Sequence, residues 1–374
     1  MTTLPSILFW NYPPARDPTR SVDPLGFDAL REAMADKLVP LLTGATRDAD
    51  EYLWTLIGLR WARKTTGSLV DTVLFHQGFA PFERALKQYW YKFRKRTSGG
   101  INVVKKLCSG TQPDVRRPIL VDQRGTGLLG NYIVSLRGMN LVQKDSLRVF
   151  DDAADRLLLD IRFAPPRGWE SSWGTLQKAF DAIDLRSARQ RLGGRLFSSE
   201  HDEMNRAARA ALARPKARAW AGTGRQQLDK EQARLAKIAT GLAMLEATAL
   251  DAFGELLRGA KVLSGSTKRA LCSLASAARD GDPFPSTWAA ENRLRSAIHH
   301  ALASLARGRE PAATLLQLHL AVTREVRQTE PWLLHLGETP AGFQRWRPGK
   351  GVPDFRFGNL RTLVRQTHWR PSVA

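Results

Sequence analysis

The residue types that most often carry catalysis or bind metals are thinly spread in this sequence. Of its seven histidines, His299 and His300 are adjacent in SAIHHALASL and would point about 100° apart on a helix, unlike an i, i+4 pair that shares one metal. His201 lies among acids in SSEHDEMNR, a pattern typical of helix capping and dipole compensation. We therefore expect no metal site and no cofactor.

The glycine-containing stretches do not have the spacing that nucleotide binding requires. GTGLLG, at residues 125–130, lacks a good preceding strand, and TGSL and SGSTKR do not complete the G-x-x-x-x-G-K-[ST] pattern. GVPDFRFG resembles the Pro-Asp element of restriction-type nucleases, but no acid follows Asp354 in the chain. We expect a non-enzymatic protein, with an enzyme whose site is assembled from distant residues as an alternative.

The charge balance points to a polyanionic partner. The chain has 57 lysines and arginines against 36 acids, a formal charge of +21 over 374 residues. Such an excess repels itself unless something acidic is near. Arginine is a better donor than lysine to phosphate oxygens, and it also stacks on bases, so an arginine-rich chain suits a nucleic-acid partner. GC-rich codon usage explains the abundance of arginine equally well.

The cysteines and apolar runs limit the compartment. Cys108 and Cys272 are too few and too far apart for a disulfide framework or a CxxC metal site. The sequence has no run of about 18 apolar residues, and its first residues lack the basic start of a secretion signal. We expect a cytoplasmic protein that does not enter membranes.

The stretch ALKQYWYKFRKR, residues 85–96, combines aromatic residues with bases. Phe82, Leu86, Tyr89 and Phe93 recur at helical steps and predict one apolar face, whereas Tyr91 falls on the basic side, where it could stack on a base. The predicted phosphate-binding set in this region is Arg84, Lys87, Tyr91, Lys92, Arg94, Lys95, Arg96, Lys105 and Lys106.

A second basic cluster lies in RAARAALARPKAR, around a proline that ends a helix. It is interpreted as a phosphate-contacting edge, with a solvated helix face as the alternative. Its candidate residues are Arg206, Arg209, Arg214, Lys216 and Arg218.

One segment resembles a known family. In RGTGLLGNYIVSLRGMNLVQKDSLRVFDDAADRLLLDIR, residues 124–162, a helix leads through LRGMNLV into two β-prone runs and a further helix. This order resembles the second half of a winged-helix domain, a fold that also serves protein–protein contacts. The resemblance implies that helix 128–137 enters the major groove, with Asn131 on adenine and Arg137 on guanine, and that Lys144 or Arg148 on the wing contacts phosphate.

The hydrophobic spacing predicts a mainly helical chain. We expect a Pro-rich lead-in and first helix at 1–47 and a basic, winged-helix-like domain with a small β-hairpin at 48–163. A linker at 164–170 should precede a helical bundle at 171–337 that contains one long helix, and a basic, aromatic tail should cover 338–374. The long helix shows apolar three- and four-residue steps from Leu235 to Leu256, which suit a bundle arm or a dimerising coiled coil.

These patterns favour a nucleic-acid-binding protein, with duplex DNA as the expected partner. One alternative is an RNA-binding protein. Another is an adaptor subunit of a larger bacterial nucleoprotein complex, of the defence or mobile-element type, whose C-terminal helices contact protein partners. The chain could also form a homo-oligomer.

Overall fold

The computed structural model describes most of the chain in two compact units. The described residues are 25–43, 46, 48–96, 100–213, 230–257, 260, 262–280, 293–322 and 357–370. The described parts of 1–38 and 216–355 form the first unit, and those of 39–215 and 356–374 form the second.

The first unit is a helical bundle. Its helices are α1 (Phe27–Leu38), α12 (Lys230–Leu257), α13 (Gly265–Asp280), α14 (Arg293–Ala306) and α15 (Pro311–Val322). The long helix α12 packs on α1, α13 and α15. Its predicted apolar stripe includes the buried residues Ile238, Leu242, Leu245, Ala249, Ala252 and Leu256. The structure therefore shows α12 as an arm of the bundle.

The second unit contains the remaining helices. In order these are α2 (Ala49–Thr66), α3 (Asp71–Val73) with a π-helical turn (Leu74–Phe79), α4 (Ala80–Arg94), α5 (Ile101–Cys108), α6 (Gln123–Thr126), α7 (Leu128–Gly138), α8 (Asp151–Leu157), α9 (Trp173–Asp181), α10 (Arg186–Leu196), a 3₁₀ turn (Ser199–His201), α11 (Asp202–Ala213) and α16 (Phe357–Gln366).

Helix α2 shows how local sequence sets these elements. Asp48 accepts a hydrogen bond from the Asp50 backbone at 2.9 Å and caps the helix, and Gly67 ends it in the left-handed region. Gly78 in the π-helical turn lies so close to α2 that a Cβ there would be 2.5 Å from the Ala62 Cβ. A glycine is therefore required where the chain turns into α4.

An aromatic core holds the second unit together. Trp54 and Trp61 of α2, Phe82 of α4 and Phe180 of α9 surround Phe163, with ring centroids between 5.2 and 6.3 Å from it. Trp169 packs in the same core, 5.4 Å from both Phe163 and Phe180. The predicted linker at 164–170 thus lies inside this unit, because burial of Trp169 fixes the proline-containing turn to the core.

The predicted winged-helix hairpin is wrong. Among the described residues only an isolated antiparallel bridge joins Val142 and Val149, and no strand forms. The pairing does not extend into strands, because groups of the turn between these two residues bond to other side chains. The Leu147 amide donates to Asp71 at 2.9 Å, and Arg137 donates to the Gln143 and Ser146 carbonyls. The prediction of a mainly helical fold is confirmed.

The described part of the C-terminal tail folds onto the second unit. Helix α16 packs on α10 and α11, with Leu360 and Leu363 fully buried. Trp369 lies 5.0 Å from Phe197, and the Gln366 side chain accepts a hydrogen bond from the Ala49 amide at 2.7 Å.

Candidate nucleic-acid interface

Helix α4, the predicted phosphate-binding helix, is mostly enclosed. Its residues from Phe82 to Trp90 are buried except Arg84, which is half-buried, so polar as well as apolar sides are covered. The segment 113–128 covers the polar side: Gln88 exchanges hydrogen bonds with the backbone of Asp114 at 2.8 and 3.0 Å. Only the last turn of the helix reaches solvent with several bases.

Arg84 and Lys87 point into the protein. Arg84 donates to the Gln123 side chain at 2.9 Å and to the Val115 and Arg116 carbonyls at 3.2 and 2.8 Å. Burial lowers the pKa of Arg84, although Glu83 and Asp114 act in the opposite direction. Lys87 is 4% exposed and pairs with Glu83 at 3.0 Å. These two predicted phosphate-binding residues hold α4 in place.

Arg96 is also engaged within the protein. Its guanidinium pairs with Asp48 at 2.7 Å and Glu51 at 2.5 Å and lies 4.2 Å from the centre of the Trp90 ring. Tyr132 donates to the same Glu51 at 2.7 Å, and burial, reinforced by Glu51, raises the pKa of Tyr132 strongly. Arg96 therefore joins the ends of α2, α4 and α7.

Lys92 and Arg94 are exposed but have intramolecular partners. The Lys92 ammonium lies 4.1 Å from the centre of the Trp173 ring and donates to the Cys108 carbonyl at 3.2 Å. Arg94 pairs with Asp181 at 2.7 Å and donates to the Tyr89 hydroxyl at 2.6 Å. Burial and the Asp181 hydrogen bond raise the pKa of Tyr89 to about 12.

A small basic lobe begins in the last turn of α4 and continues beyond it. It comprises residues 91–120, of which 97–99 lie outside the described chain, and it has its own apolar cluster. Val104, Leu107, Cys108 and Ile119 form that cluster, with Tyr91 and Trp173 packed against it. The cluster attaches α5 and the loop 109–120 to the end of α4, so the cations of all three are carried on one small body.

Five of the exposed cations on the basic lobe have no ion-pair partner among the described residues: Lys95, Lys105, Lys106, Arg116 and Arg117. Asp114 is the one acid in the sequence of the lobe. Its carboxylate accepts hydrogen bonds from the Arg116 and Arg117 amides at 3.0 and 3.1 Å, which fixes the turn that presents both arginines.

Arg116 and Arg117 were missed by the sequence prediction. Their signal is DVRRP, where an acid that can accept two backbone hydrogen bonds precedes two bases and a proline. The tertiary position of this loop beside Arg84 and Gln88 is what brings it to the lobe, and that contact has no local signature.

The predicted base-reading helix α7 is partly covered along the face that carries its polar residues, where Asn131 is half-buried and Val134 is 58% exposed. Ser135 is fully buried and donates to the Leu41 carbonyl, and the Thr43 hydroxyl donates to the Asn131 carbonyl at 3.3 Å. Arg137 is half-buried, with its guanidinium on the turn that follows. Asn131 and Arg137 are therefore half-buried, and the exposed residue at helical spacing between them is the apolar Val134.

The remaining predicted residues are scattered. Lys144 and Arg148 are exposed on the turn after α7. Arg206 pairs with Asp202 at 3.5 Å within α11, and Arg209 donates to the Asn205 side chain at 2.9 Å. The residues of this cluster that lie outside the described chain are Arg214, Lys216 and Arg218.

The described residues hold no group of three or more His, Cys, Asp or Glu side chains that could bind a metal ion. Within those same ranges, no helix has the length and apolar character to cross a membrane. Comparison with protein-family models, curated proteins and solved structures gives no match for this chain.

Proposed function

We propose that this protein binds nucleic acid through its basic lobe. The observation that carries the proposal is the set of five exposed cations without ion-pair partners among the described residues, on a lobe whose single acid is used to shape a turn. Unpaired surface cations attract the phosphates of a polyanion and release its condensed counterions on binding. Duplex DNA is the favoured partner.

The packing of the lobe supports this proposal over one in which the cations serve only solubility. Val104, Leu107 and Ile119 give the lobe a buried cluster, so the backbone that carries the cations is held in place. A fixed arrangement of charges loses less conformational entropy on binding than charges on a loose loop.

Fluorescence anisotropy with duplex DNA, single-stranded DNA and RNA of equal length tests the proposal across a salt series. Poly-glutamate of similar charge serves as the control polyanion. We expect micromolar or tighter binding to duplex DNA at low salt, weakening steeply as salt rises, because each neutralised phosphate contributes about 0.9 to the slope of log affinity against log salt.

Two outcomes would contradict the proposal. Equal affinity for poly-glutamate would show a general polyanion surface and favour an adaptor that receives an acidic protein chain. Absence of binding to all nucleic acids at low salt would show that the lobe is not an interface for phosphates.

A further inference from the structure

We infer that the basic lobe binds a nucleic-acid duplex through its phosphates alone, with no side chain reading base edges and none stacking on bases. This inference rests on the proposed function and specifies its ligand. Two kinds of side chain are considered as base contacts: polar residues on a helix that enters a groove, and free aromatic rings. The inference follows from the intramolecular contacts that both kinds make in this protein.

Helix α7 is the first source of base contacts, and residues of its own unit cover part of its predicted base-reading face. A Cβ on Gly138 would lie 2.2 Å from the Leu41 side chain, which shows how closely the segment after α1 covers the end of this helix. The hydrogen bonds of Ser135 to Leu41 and of Thr43 to the Asn131 carbonyl continue that cover toward the start of α7. The exposed residue of this face is Val134, whose side chain has no donor or acceptor for a base edge.

The guanidinium of Arg137, predicted to recognise guanine, has other acceptors. It donates to the Gln143 carbonyl at 3.1 Å and to the Ser146 carbonyl at 3.2 Å. Both acceptors belong to the turn that replaces the predicted hairpin. Bidentate recognition of a guanine would require Arg137 to leave both carbonyls, and the turn would lose the groups that fix it.

Aromatic rings are the second source of base contacts, and those of the lobe are engaged. Tyr91 is half-buried against the cluster of Val104 and Ile119. Trp173, which packs on the lobe, donates from its indole nitrogen to the Gly110 carbonyl at 3.0 Å and has the Lys92 ammonium over its ring. Binding of single strands depends on rings that are free to stack on unpaired bases.

The groups that remain on the lobe are its exposed cations. Three of the five are lysines, whose ammonium groups pair with phosphates without reporting base identity. The other two, Arg116 and Arg117, lie on the loop turn that Asp114 fixes and not on a helix that could enter a groove. A duplex keeps its bases stacked inside and presents its phosphates outward, so it satisfies this surface, whereas a single strand would leave its unstacked bases without partners. If all five cations each neutralise one phosphate, the salt slope on duplex DNA is about 4.5.

The test compares unrelated duplexes of equal length, AT-rich, GC-rich and mixed, with their separated strands and with an RNA duplex, all at one salt concentration. We expect the DNA duplexes to agree in Kd within a factor of about three, below the roughly tenfold or larger discrimination that one good bidentate base contact provides. Each separated strand should bind more weakly than its duplex. The RNA duplex shows whether the lobe also accepts A-form phosphates.

Asn131→Ala is the companion variant, because it removes the side chain predicted to read adenine while leaving the lobe unchanged. Its affinity for every duplex should equal that of the unchanged protein. A preference of about tenfold or more for one sequence, a loss of that size in Asn131→Ala, or tighter binding to single strands would overturn the inference and leave the proposed function standing. Absence of binding to every nucleic acid would overturn the proposed function, and this inference with it.

Discussion

At the scale of residues, several arginines whose number suggested a surface for a partner instead form hydrogen bonds and ion pairs inside the second unit. Arg189 forms two bonds to Asp50, at 2.5 and 3.0 Å. Arg191 donates to the Leu157 carbonyl at 2.8 Å, and Arg195 donates to the Met139 carbonyl at 3.2 and 3.1 Å. A count of bases therefore overestimates the charge available to a partner.

The sequence could predict single residues only where their partners are local. An acid such as Asp48 or Asp50 is a local signal for a helix start, and Asp48 caps α2, because an N-cap bond reaches only two or three residues. The inward turn of Arg84 was not predictable, since its acceptors on Val115, Arg116 and Gln123 are 31 to 39 residues away. For this reason the candidate site contains fewer residues than the sequence predicted, and it is limited to cations that have no such acceptors.

The buried pair of Glu83 and Lys87 should stabilise the fold. Glu83 also accepts hydrogen bonds from the Leu128 amide at 2.8 Å and from the Gln123 side chain at 3.0 Å. Glu83→Gln removes the carboxylate that pairs with the buried Lys87 ammonium, so we expect it to lower the free energy of unfolding by about 3 to 5 kcal/mol in urea titrations.

Glu200→Gln is the matched control for this prediction. Glu200 pairs with Arg195 at 2.9 Å but is 59% exposed, and its loss should cost less than about 1 kcal/mol. The double variant Glu83→Gln/Lys87→Met should recover part of the stability lost in Glu83→Gln, because it also removes the buried ammonium. Equal effects of the two glutamate variants would refute the assigned role of the buried pair.

The Cys108 thiol should make stability depend on alkaline pH. Burial raises the pKa of Cys108 from 9.0 to about 11, with Lys92 acting against it. The unfolded chain therefore loses this proton at a lower pH than the folded protein, and folding stability falls as pH rises through that window. Between about pH 8 and pH 10 the group should account for about 1 kcal/mol of lost stability.

Cys108→Ser isolates this contribution, because serine keeps a donor for the Gln88 carbonyl and does not titrate in the window. Urea unfolding of both proteins at the two pH values gives the difference. A variant that loses as much stability as the unchanged protein would show that the Cys108 proton is not involved.

At the scale of elements, the hydrophobic spacing predicted a mainly helical chain, and the long helix α12 contains the predicted apolar steps from Leu235 to Leu256. Helix α10 has a weak local signal, because RSARQRLGGRL combines four arginines with two adjacent glycines and offers few apolar steps. Its arginines bond to α2 and to the ends of α7 and α8. These tertiary contacts stabilise a helix whose sequence has a low helix propensity. The predicted hairpin does not form for a related reason, since side chains of Asp71 and Arg137 bond to the turn.

The corner between α6 and α7 should depend on a glycine. A Cβ on Gly130 would lie 1.9 Å from the Gly125 carbonyl oxygen, and this neighbour is backbone and cannot rotate away. Gly130→Ala should therefore destabilise the protein by about 1 to 3 kcal/mol or more. Thermal or urea unfolding measures the change.

Gly194→Ala is the control for this element, because Gly194 lies in α10 and a Cβ there would meet nothing within 4 Å. It should stabilise the protein by about 0.5 to 1 kcal/mol through helix propensity. A change of the same sign and size in both variants would contradict the steric account of the corner.

At the scale of the whole molecule, the sequence predicted a mainly helical chain with a long bundle helix but not how the chain is divided. Proline and glycine at 164–170 look like a linker, yet Trp169 is 6% exposed in the aromatic core. Both units combine segments from distant parts of the chain, as α1 joins the first and α16 the second. Local composition cannot predict which distant segments join one unit, because this depends on which apolar helix faces remain uncovered after the nearer helices have packed.

The basic lobe is the molecular feature on which the account of function depends, and a charge-neutralised variant tests it most directly. Lys105→Gln/Lys106→Gln removes two exposed cations of the lobe, and Lys64→Gln/Arg162→Gln removes two exposed cations elsewhere in the second unit. The measurement is anisotropy on one DNA duplex across a salt series, after circular dichroism has shown that both variants are folded.

The lobe variant should bind more weakly at every salt concentration, with a slope of log affinity against log salt smaller by about 1.8, because two phosphate contacts are lost. The control variant should keep the slope of the unchanged protein. Equal slopes and affinities for the two variants would mean that the charge of the chain acts as a whole, and would contradict an interface at the basic lobe.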